Sequence, residues 1–518
     1  MKRPARETVY LWYCCLVAAT CMFLNGYDSS SFNAVQGSTY FMDYFHHPSA
    51  EVIGSVNTAY TVGGVVTGFF FSAPISDRFG RKWTMHIGAA LIIVSTFIAA
   101  FTPRAIGGFI ASRALTGIGQ GLAMPAGPVY INEIAPAKHR GMIMSLWQLF
   151  FGFGSFVAYW INYACSTNSK SLGNWDWRIV ILGQLVGPVI IITGLLFCPE
   201  SPRWFIQRDR YEEAVKSLSR LRENSDEIQT EIQEMHQAIA YEKAHMSGAY
   251  APLWKDKAIR YRFLLAVGIN VGQQFTGQGS LSMYSTMIYQ QVFTSNKQIQ
   301  LINALNGTFS IIFTLNATWM ADRFGRKALL LIGAAGMSMC MFIVAAVVTE
   351  TPTLPDGAKE KPVGIATVFL MFLFALFYKP SWGATVWIWT AEIFSMNIRA
   401  QAIAMATQSQ SIANTILQQI FPIFLDRKGF YAMYMFGAIN IVLFAFVWFL
   451  IPETKGVSLE HMDHLFGGID HTDRGAEMLD AKGVGRIEDE PTVETQDKVA
   501  VDGQREAGEG GDKAPASK

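Results

Sequence analysis

The sequence predicts an all-α membrane protein with twelve transmembrane helices in two six-helix halves, joined by a cytoplasmic helical insert. Three observations carry this expectation. First, one hexapeptide occurs twice. Asp77-Arg78-Phe79-Gly80-Arg81-Lys82 returns letter for letter as Asp322-Arg323-Phe324-Gly325-Arg326-Lys327. Each copy lies between two long apolar runs, as in an internal duplication, and paired helical repeats in an apolar chain point to a carrier. Second, 51% of the 518 residues are hydrophobic and only 16% are charged, where globular domains carry about a quarter charged residues. Third, the charges crowd into 199–262, 453–518 and short loops. Between them lie runs of about 20 residues, long enough to cross a hydrocarbon core of about 30 Å.

The elements follow in order. Residues 1–8 form a short basic start with Lys2, Arg3 and Arg6. Spans are expected at about 9–30, 53–74, 83–103, 107–131, 141–163 and 178–198. The first run carries Asp28 and lacks a small-residue cleavage site, so it reads as a span and not a signal peptide. The polar segment 199–262 reads as amphipathic helices, and six more spans are expected at about 263–292, 298–321, 328–349, 363–391, 400–425 and 430–452. The chain thus divides into 1–8, a first half 9–198, an insert 199–262, a second half 263–452 and a tail 453–518. The tail is rich in Gly, Asp, Glu and Lys and poor in aromatics, a composition of mostly disordered segments.

Short loops on one side carry Arg78, Arg81, Lys82, Lys138, Arg140, Arg323, Arg326, Lys327 and Arg399. This bias places the insert and both termini in the cytoplasm. Net charge is +1, so no whole-protein field recruits nucleic acid. The 6 cysteines show no metal-ligand or disulfide spacing and fall mostly in apolar runs. No nucleophile–base pair or metal cluster suggests an enzyme. No GxxxxGK[ST] signature suggests an ATP-driven pump. No cofactor is implied, and the chain is expected to act as a monomer in the bilayer.

Asp28 stands in Gly26-Tyr27-Asp28, inside the first span. An intramembrane carboxylate is costly and marks function by default; Arg113 in the fourth span is the natural partner.

Together the motifs give a family resemblance over about 9–460. Besides the two loops they are Arg113-x-x-x-Gly117-x-Gly119, Glu133-Ile-Ala-Pro-Ala-Lys-His-Arg140-Gly141, Pro199-Glu200-Ser201-Pro202-Arg203-Trp204 and Gln273-Gln274-Phe275-Thr276-Gly277. Trp382-Gly383 through Trp387, leading to Glu392-Ile393-Phe394 and Arg399, completes the set. The chain resembles the sugar porters of the major facilitator superfamily, particularly fungal sugar permeases. The resemblance implies the major facilitator fold, with a central cavity open alternately to each side.

The same resemblance implies roles for residues. A cytoplasmic gate would comprise Asp77, Arg81, Glu133, Arg140, Glu200 and Arg203, with Asp322, Arg326, Glu392 and Arg399 in the second half. Arginines fork onto carboxylates there, and Asp77 is placed to accept N–H bonds at a helix start. Asp28 with Arg113 would couple transport to protons, with the proton gradient as energy source. Desolvation of the carboxyl and the nearby guanidinium pull its protonation in opposite directions. Gln148, Gln273, Gln274, Trp387 and Gln410 match sugar-contacting positions; amides donate and accept, and an aromatic face covers a sugar's C–H surface.

Three departures bear on the substrate. The family's Ile-Asn after Gln-Gln-x-Thr-Gly is here Gln278-Gly279, which leaves room for a larger ligand. The family's eighth-span Asn aligns with Ser310, while Asn306 lies one turn earlier on the same face. Lys379, in the tenth span, occupies a position that is acidic in related glucose carriers. A lysine there suits a carboxylate, as in a hexuronate such as galacturonate. A neutral pentose or hexose and a lactose- or cellodextrin-type disaccharide stay open. So do a facilitative uniporter and, from another class, a non-transporting sugar sensor. The tail of 453–518 is short for a sensor.

Overall fold

The computed structural model describes residues 6–222, 225–245, 257–352, 354, 359–394 and 399–455; the side chains of Arg140, Gln148, Asp322 and Arg399 lie outside what it describes. The described residues form helices throughout, and the described part of the expected tail is residues 453–455.

Among the described residues, twelve helical spans follow in chain order. The first half holds Arg6–Val35, Ala50–Phe70, Arg81–Phe101, Ile106–Ile134, Ala137–Thr167 and a sixth span of Trp175–Gly183 with Val186–Leu196. The second half holds a seventh span in three pieces, Lys257–Phe275, Gln278–Met283 and Ser285–Gln290. Asn296–Phe324, Arg326–Glu350, Lys361–Glu392, Arg399–Lys428 and Tyr431–Leu450 complete it. We number these spans one to twelve. Seven of them are long and apolar enough to cross a membrane by length and composition alone. The other five, spans four, five, seven, eight and eleven, carry most of the amides singled out in the sequence.

Packing repeats between the halves, as a duplication requires. Span one pairs with five as seven pairs with eleven, two with four as eight with ten, and three with six as nine with twelve. The halves meet through spans two and eleven and through five and eight. Close helix approach rests on glycine, since a small residue lets one backbone reach another. A Cβ on Gly26 would lie 2.1 Å from Phe151 O, and one on Gly154 2.0 Å from Phe23 O, so spans one and five touch backbone to backbone.

Two spans are irregular for local reasons. Span seven breaks at Gly277, whose φ of 96° is open to glycine and strained for other residues. Span ten widens into a π-helix over Lys379–Thr385. Pro380 lacks an N–H and so interrupts the α ladder there. Thr385 Oγ1 donates to Pro380 O at 2.9 Å within the widened turn.

The insert contains Pro202–Gln207, Tyr211–Leu218 and Ser225–His245. Ser201 caps the first of these by accepting from Trp204 N at 3.3 Å, and proline opens the helix. Its small apolar core is built on Ile206, Ala214, Leu218, Ile228 and Ile232. Arg222 ties the insert to span four by donating to Ile134 O at 3.2 Å while it forks onto Glu231 at 3.1 Å.

Candidate functional site

The duplicated loops fold alike. Gly80 has φ 100° and ψ 162°, and Gly325 has φ 88° and ψ 160°. Each turns the chain from one span into the next, and each leaves space for a carboxylate. A Cβ on Gly80 would lie 2.3 Å from Glu200 Oε2, and one on Gly325 2.7 Å from Glu453 Oε2. Those carboxylates cap the following helices, where the first N–H groups lack partners and negative charge is favoured. Glu200 accepts from Arg81 N at 3.1 Å and from Lys82 N at 3.2 Å. Glu453 accepts from Arg326 N at 2.9 Å and from Lys327 N at 3.0 Å. Burial pushes the Glu200 carboxyl up from its ordinary range, against the pull of the N–H groups of Ser201, Lys82 and Arg81.

The arginines complete each loop. Arg81, buried, forks onto Glu133 at 3.0 Å and reaches Asp77 at 3.3 Å. Arg326 bridges to Glu392 at 2.8 Å, and Thr454 Oγ1 donates to the same carboxylate at 2.6 Å. Each of these loop bridges stays within its own half. Asp77 was expected to cap a helix start; Glu200 does so instead, because Asp77 lies at the C-terminal end of Ser72–Phe79 and sends only its carboxylate to Arg81. The backbone carbonyl of Asp77 accepts from Trp204 Nε1 at 2.9 Å and from Arg208 at 3.0 Å, so the insert braces this loop. Arg203 has its own contacts. Arg140, Asp322 and Arg399 contribute side chains that lie outside the described residues.

Glu453 was not foreseen, since composition assigned it to the tail. Pro199-Glu200-Ser201 and Pro452-Glu453-Thr454 stand after equivalent spans, and this second, shorter repeat was the available signal. Glu453→Ala is expected to destabilise the second half by about 1–3 kcal/mol, the cost of leaving helix N–H groups without a charged acceptor. A thermal melt of the purified protein checks this; an unshifted midpoint would show that the cap contributes nothing.

Asp28 is fully buried, and the fourth span supplies its surroundings. Gln120 Nε2 donates to Asp28 Oδ2 at 2.8 Å, while Oδ1 has no hydrogen-bond partner. Arg113 lies beside it but donates to the Asp28 backbone carbonyl at 3.3 Å, with no carboxylate–guanidinium bridge between the two. Its guanidinium sits over Tyr60 at 4.8 Å and Phe32 at 5.6 Å. The direct pair expected from the sequence is therefore replaced by a carboxyl held through one amide. Gln120 was missed, although it lies seven residues, about two turns, from Arg113 on one face of the helix.

The substrate candidates divide. Gln278 and Asn306 line one small, partly open pocket with Ser282, Met371, Phe374 and Ala375. Gln278 donates to Ser282 at 2.6 Å within it. Gln274 is half-buried beside Gly279. Gln273 is buried and donates to Trp382 O at 2.5 Å and Gly383 O at 3.3 Å, so it fixes the π turn of span ten. Trp387 is 38% exposed. Ser310 is half-buried, and its carbonyl accepts from Thr314 at 2.8 Å. Gln410 keeps a buried Oε1 without a partner. The Gln148 side chain lies outside the described residues.

The halves are sealed at the end opposite the duplicated loops. Asn33 Nδ2 donates to Ser285 Oγ at 2.8 Å, and Thr286 Oγ1 donates to Asn33 O at 2.8 Å. Asn162 Nδ2 donates to Gln300 Oε1 at 2.5 Å, and Thr58 Oγ1 to Gln419 Oε1 at 2.8 Å. Among described residues, the hydrogen bonds that join the halves lie toward this end. Neutral groups make most of these bonds, and no single residue type in the sequence marks them.

Comparison with known proteins agrees with this architecture. The profile of the family described as "Sugar (and other) transporter" matches residues 14–466. A probable quinate permease of Aspergillus niger is 32% identical over 487 residues, which cover 90% of each chain. The quinate permease of Emericella nidulans is 30% identical over 484 residues, again 90% of each. Among solved structures, the inward-open conformation of the xylose transporter XylE from E. coli matches with a TM-score of 0.73 at 27% identity, covering 88% of this chain and 100% of that one. A D-xylose-proton symporter matches with a TM-score of 0.68 at 25% identity, covering 87% of this chain and 100% of that one. The seal at one end fits the inward-open match. The chain is a multi-pass membrane transporter, not an enzyme, and belongs to the sugar transporter family of the major facilitator superfamily.

Proposed function

We propose that this chain imports a polyhydroxylated small molecule together with a proton, by alternating access. The duplicated loops and the insert face the cytoplasm, both termini lie on that side, and the plasma membrane is the site of action. Asp28 carries the proton and Arg113 tunes its release; no cofactor takes part, and a single chain suffices. Gln148, Gln274, Gln278, Asn306, Ser310, Trp387 and Gln410 bind substrate, and Gln273 acts at the same site by shaping span ten.

One observation carries the coupling: a fully buried carboxyl has one oxygen held by Gln120 and the other unbonded, beside Arg113. Such a group gains or loses a proton at small cost when its neighbours shift, whereas a bidentate salt bridge would hold it ionised. Rocking of the halves supplies that shift, since span one carries both Asp28 and the Asn33 seal. The relatives named quinate permeases and the xylose–proton symporter bracket the substrate: a ring bearing several hydroxyls. The pocket with Gln278 and Asn306 suits hydroxyls, whose donors and acceptors both need partners.

The test is uptake of labelled quinate, galacturonate, xylose and glucose into a host without sugar carriers, at acidic and neutral external pH, with and without an uncoupler. Accumulation at acidic pH that collapses with uncoupler is the expected result. Uptake indifferent to both would leave a facilitator, and binding without uptake a sensor.

A further inference from the structure

Lys379 is a basic residue within span ten. Among the described residues no carboxylate bridges to its ammonium and no acceptor takes a hydrogen bond from it, and the residue is half-buried. Ionisable groups inside membranes usually pair. Several carboxylates of the spans are engaged elsewhere: Asp28 by Gln120, Glu51 by Arg427, Glu133 by Arg81, Asp176 by Ser38, and Glu392 by Arg326 and Thr454.

The shape of span ten sets what this cation shares a face with. Met371 and Ala375 line the pocket that holds Gln278 and Asn306. Lys379 is the next residue at a spacing of four, and Gly383 and Trp387 follow at the same spacing. In a regular α-helix each step of four drifts by about 40°, so Ala375 and Trp387 would diverge by about 120°. The π segment Lys379–Thr385 reverses much of this drift, because a π turn holds about 4.4 residues. Ala375, Lys379, Gly383 and Trp387 therefore stay near one stripe. Gln273 stabilises that geometry by bonding the carbonyls of Trp382 and Gly383. The Nε2 of this buried amide is thereby engaged on the backbone that sets Lys379 and Trp387 along one stripe, while its Oε1 keeps no partner.

We propose that Lys379 is the counter-charge for a substrate carboxylate, so that the carrier takes polyhydroxylated monocarboxylates and moves one anion with one proton, without net charge. This rests on the transport reading above. The carboxylate meets Lys379, the ring lies toward Trp387, and the hydroxyls reach Gln278 and Asn306. A neutral sugar would leave the ammonium desolvated and unpaired, which disfavours its binding. The charge balance follows directly. A monoanion and the proton on Asp28 sum to zero, so a pH gradient drives the loaded step and the membrane potential does not.

The experiment uses the full chain in proteoliposomes with labelled quinate and labelled xylose. A pH gradient and a potassium–valinomycin potential are imposed separately. The pH gradient is expected to drive quinate accumulation, and the potential alone is expected to drive none. Lys379→Gln should lower quinate uptake about 100-fold, the usual scale for removing one member of a desolvated charge pair. Lys379→Arg should restore most of it. A monodisperse peak in size-exclusion chromatography keeps the Gln variant interpretable. Quinate uptake by Lys379→Gln at the wild-type rate would overturn the anchor. So would xylose uptake driven by the potential and unchanged in that variant; transport itself would then stand. Failure of the wild type to move either compound under a pH gradient would overturn the transport reading and this proposal together.

Discussion

Asp28→Asn is expected to abolish accumulation of substrate against its gradient while sparing exchange of labelled for unlabelled substrate. The side chain is fully buried, and asparagine matches it in size. Gln120 Nε2 keeps an acceptor at 2.8 Å, because the asparagine oxygen can take the place of Oδ2. Packing is thus preserved and only the titrating group is lost. With one proton per substrate, each unit of pH gradient is worth about 1.4 kcal/mol, or about tenfold accumulation. The variant should bring that ratio to unity at any imposed gradient. Paired measurements of accumulation and of counterflow in proteoliposomes separate the two effects. Wild-type accumulation by the variant would place the coupling proton elsewhere. Loss of counterflow as well would show that Asp28 also holds the fold or the substrate.

Much of the fold was legible because it is written in long-range composition and in one repeat. Twelve apolar runs, a polar insert and two identical loops determine which helices pair, since a duplication must repeat its packing. The gate was legible in part. Residue types at the loops announced arginine–carboxylate forks, and Arg81 with Glu133 and Arg326 with Glu392 make them. The helix-capping role of Glu200 and Glu453 was not read, because a cap depends on where a remote chain segment comes to rest. The proton site shows the same limit. Asp28 was conspicuous as a charge in an apolar run, whereas Gln120 was one polar residue among many until span four brought it within 2.8 Å. Gln273 has partners that the sequence does not show. The sequence shows an amide at a ligand position, and only the π turn shows that its N–H group is already engaged. Short-range patterns name the groups; their partners come from helix crossings that no local pattern records.

Gly117→Val should have the largest structural effect, a loss of folded protein. The motif Arg113-x-x-x-Gly117-x-Gly119 reads at first as part of a polar site, but its glycines set how closely span four approaches its neighbours. A Cβ on Gly117 would lie 2.0 Å from Tyr60 O, and one on Gly121 2.6 Å from Gly64 O, both toward span two. A Cβ on Gly119 would lie 2.7 Å from Gly88 O, toward span three. The division follows from helix geometry. Residues four apart share a face, and the one between them points about 200° away. At Gly117 the obstacle is a backbone carbonyl, which cannot rotate aside as a side chain would. Valine would force the two helices apart, at a cost of about 3 kcal/mol or more. Separation would also draw the Tyr60 ring from the Arg113 guanidinium, now 4.8 Å away, and so disturb the groups around Asp28. The measurement is the yield of monodisperse protein after detergent extraction, expected to fall about tenfold or more given that cost. Gly107→Ala is the control, since a Cβ there meets nothing within 4 Å. Normal yield and normal uptake from Gly117→Val would mean that span four sits farther from span two than this packing requires, and Arg113 would then need another reason to lie against Tyr60.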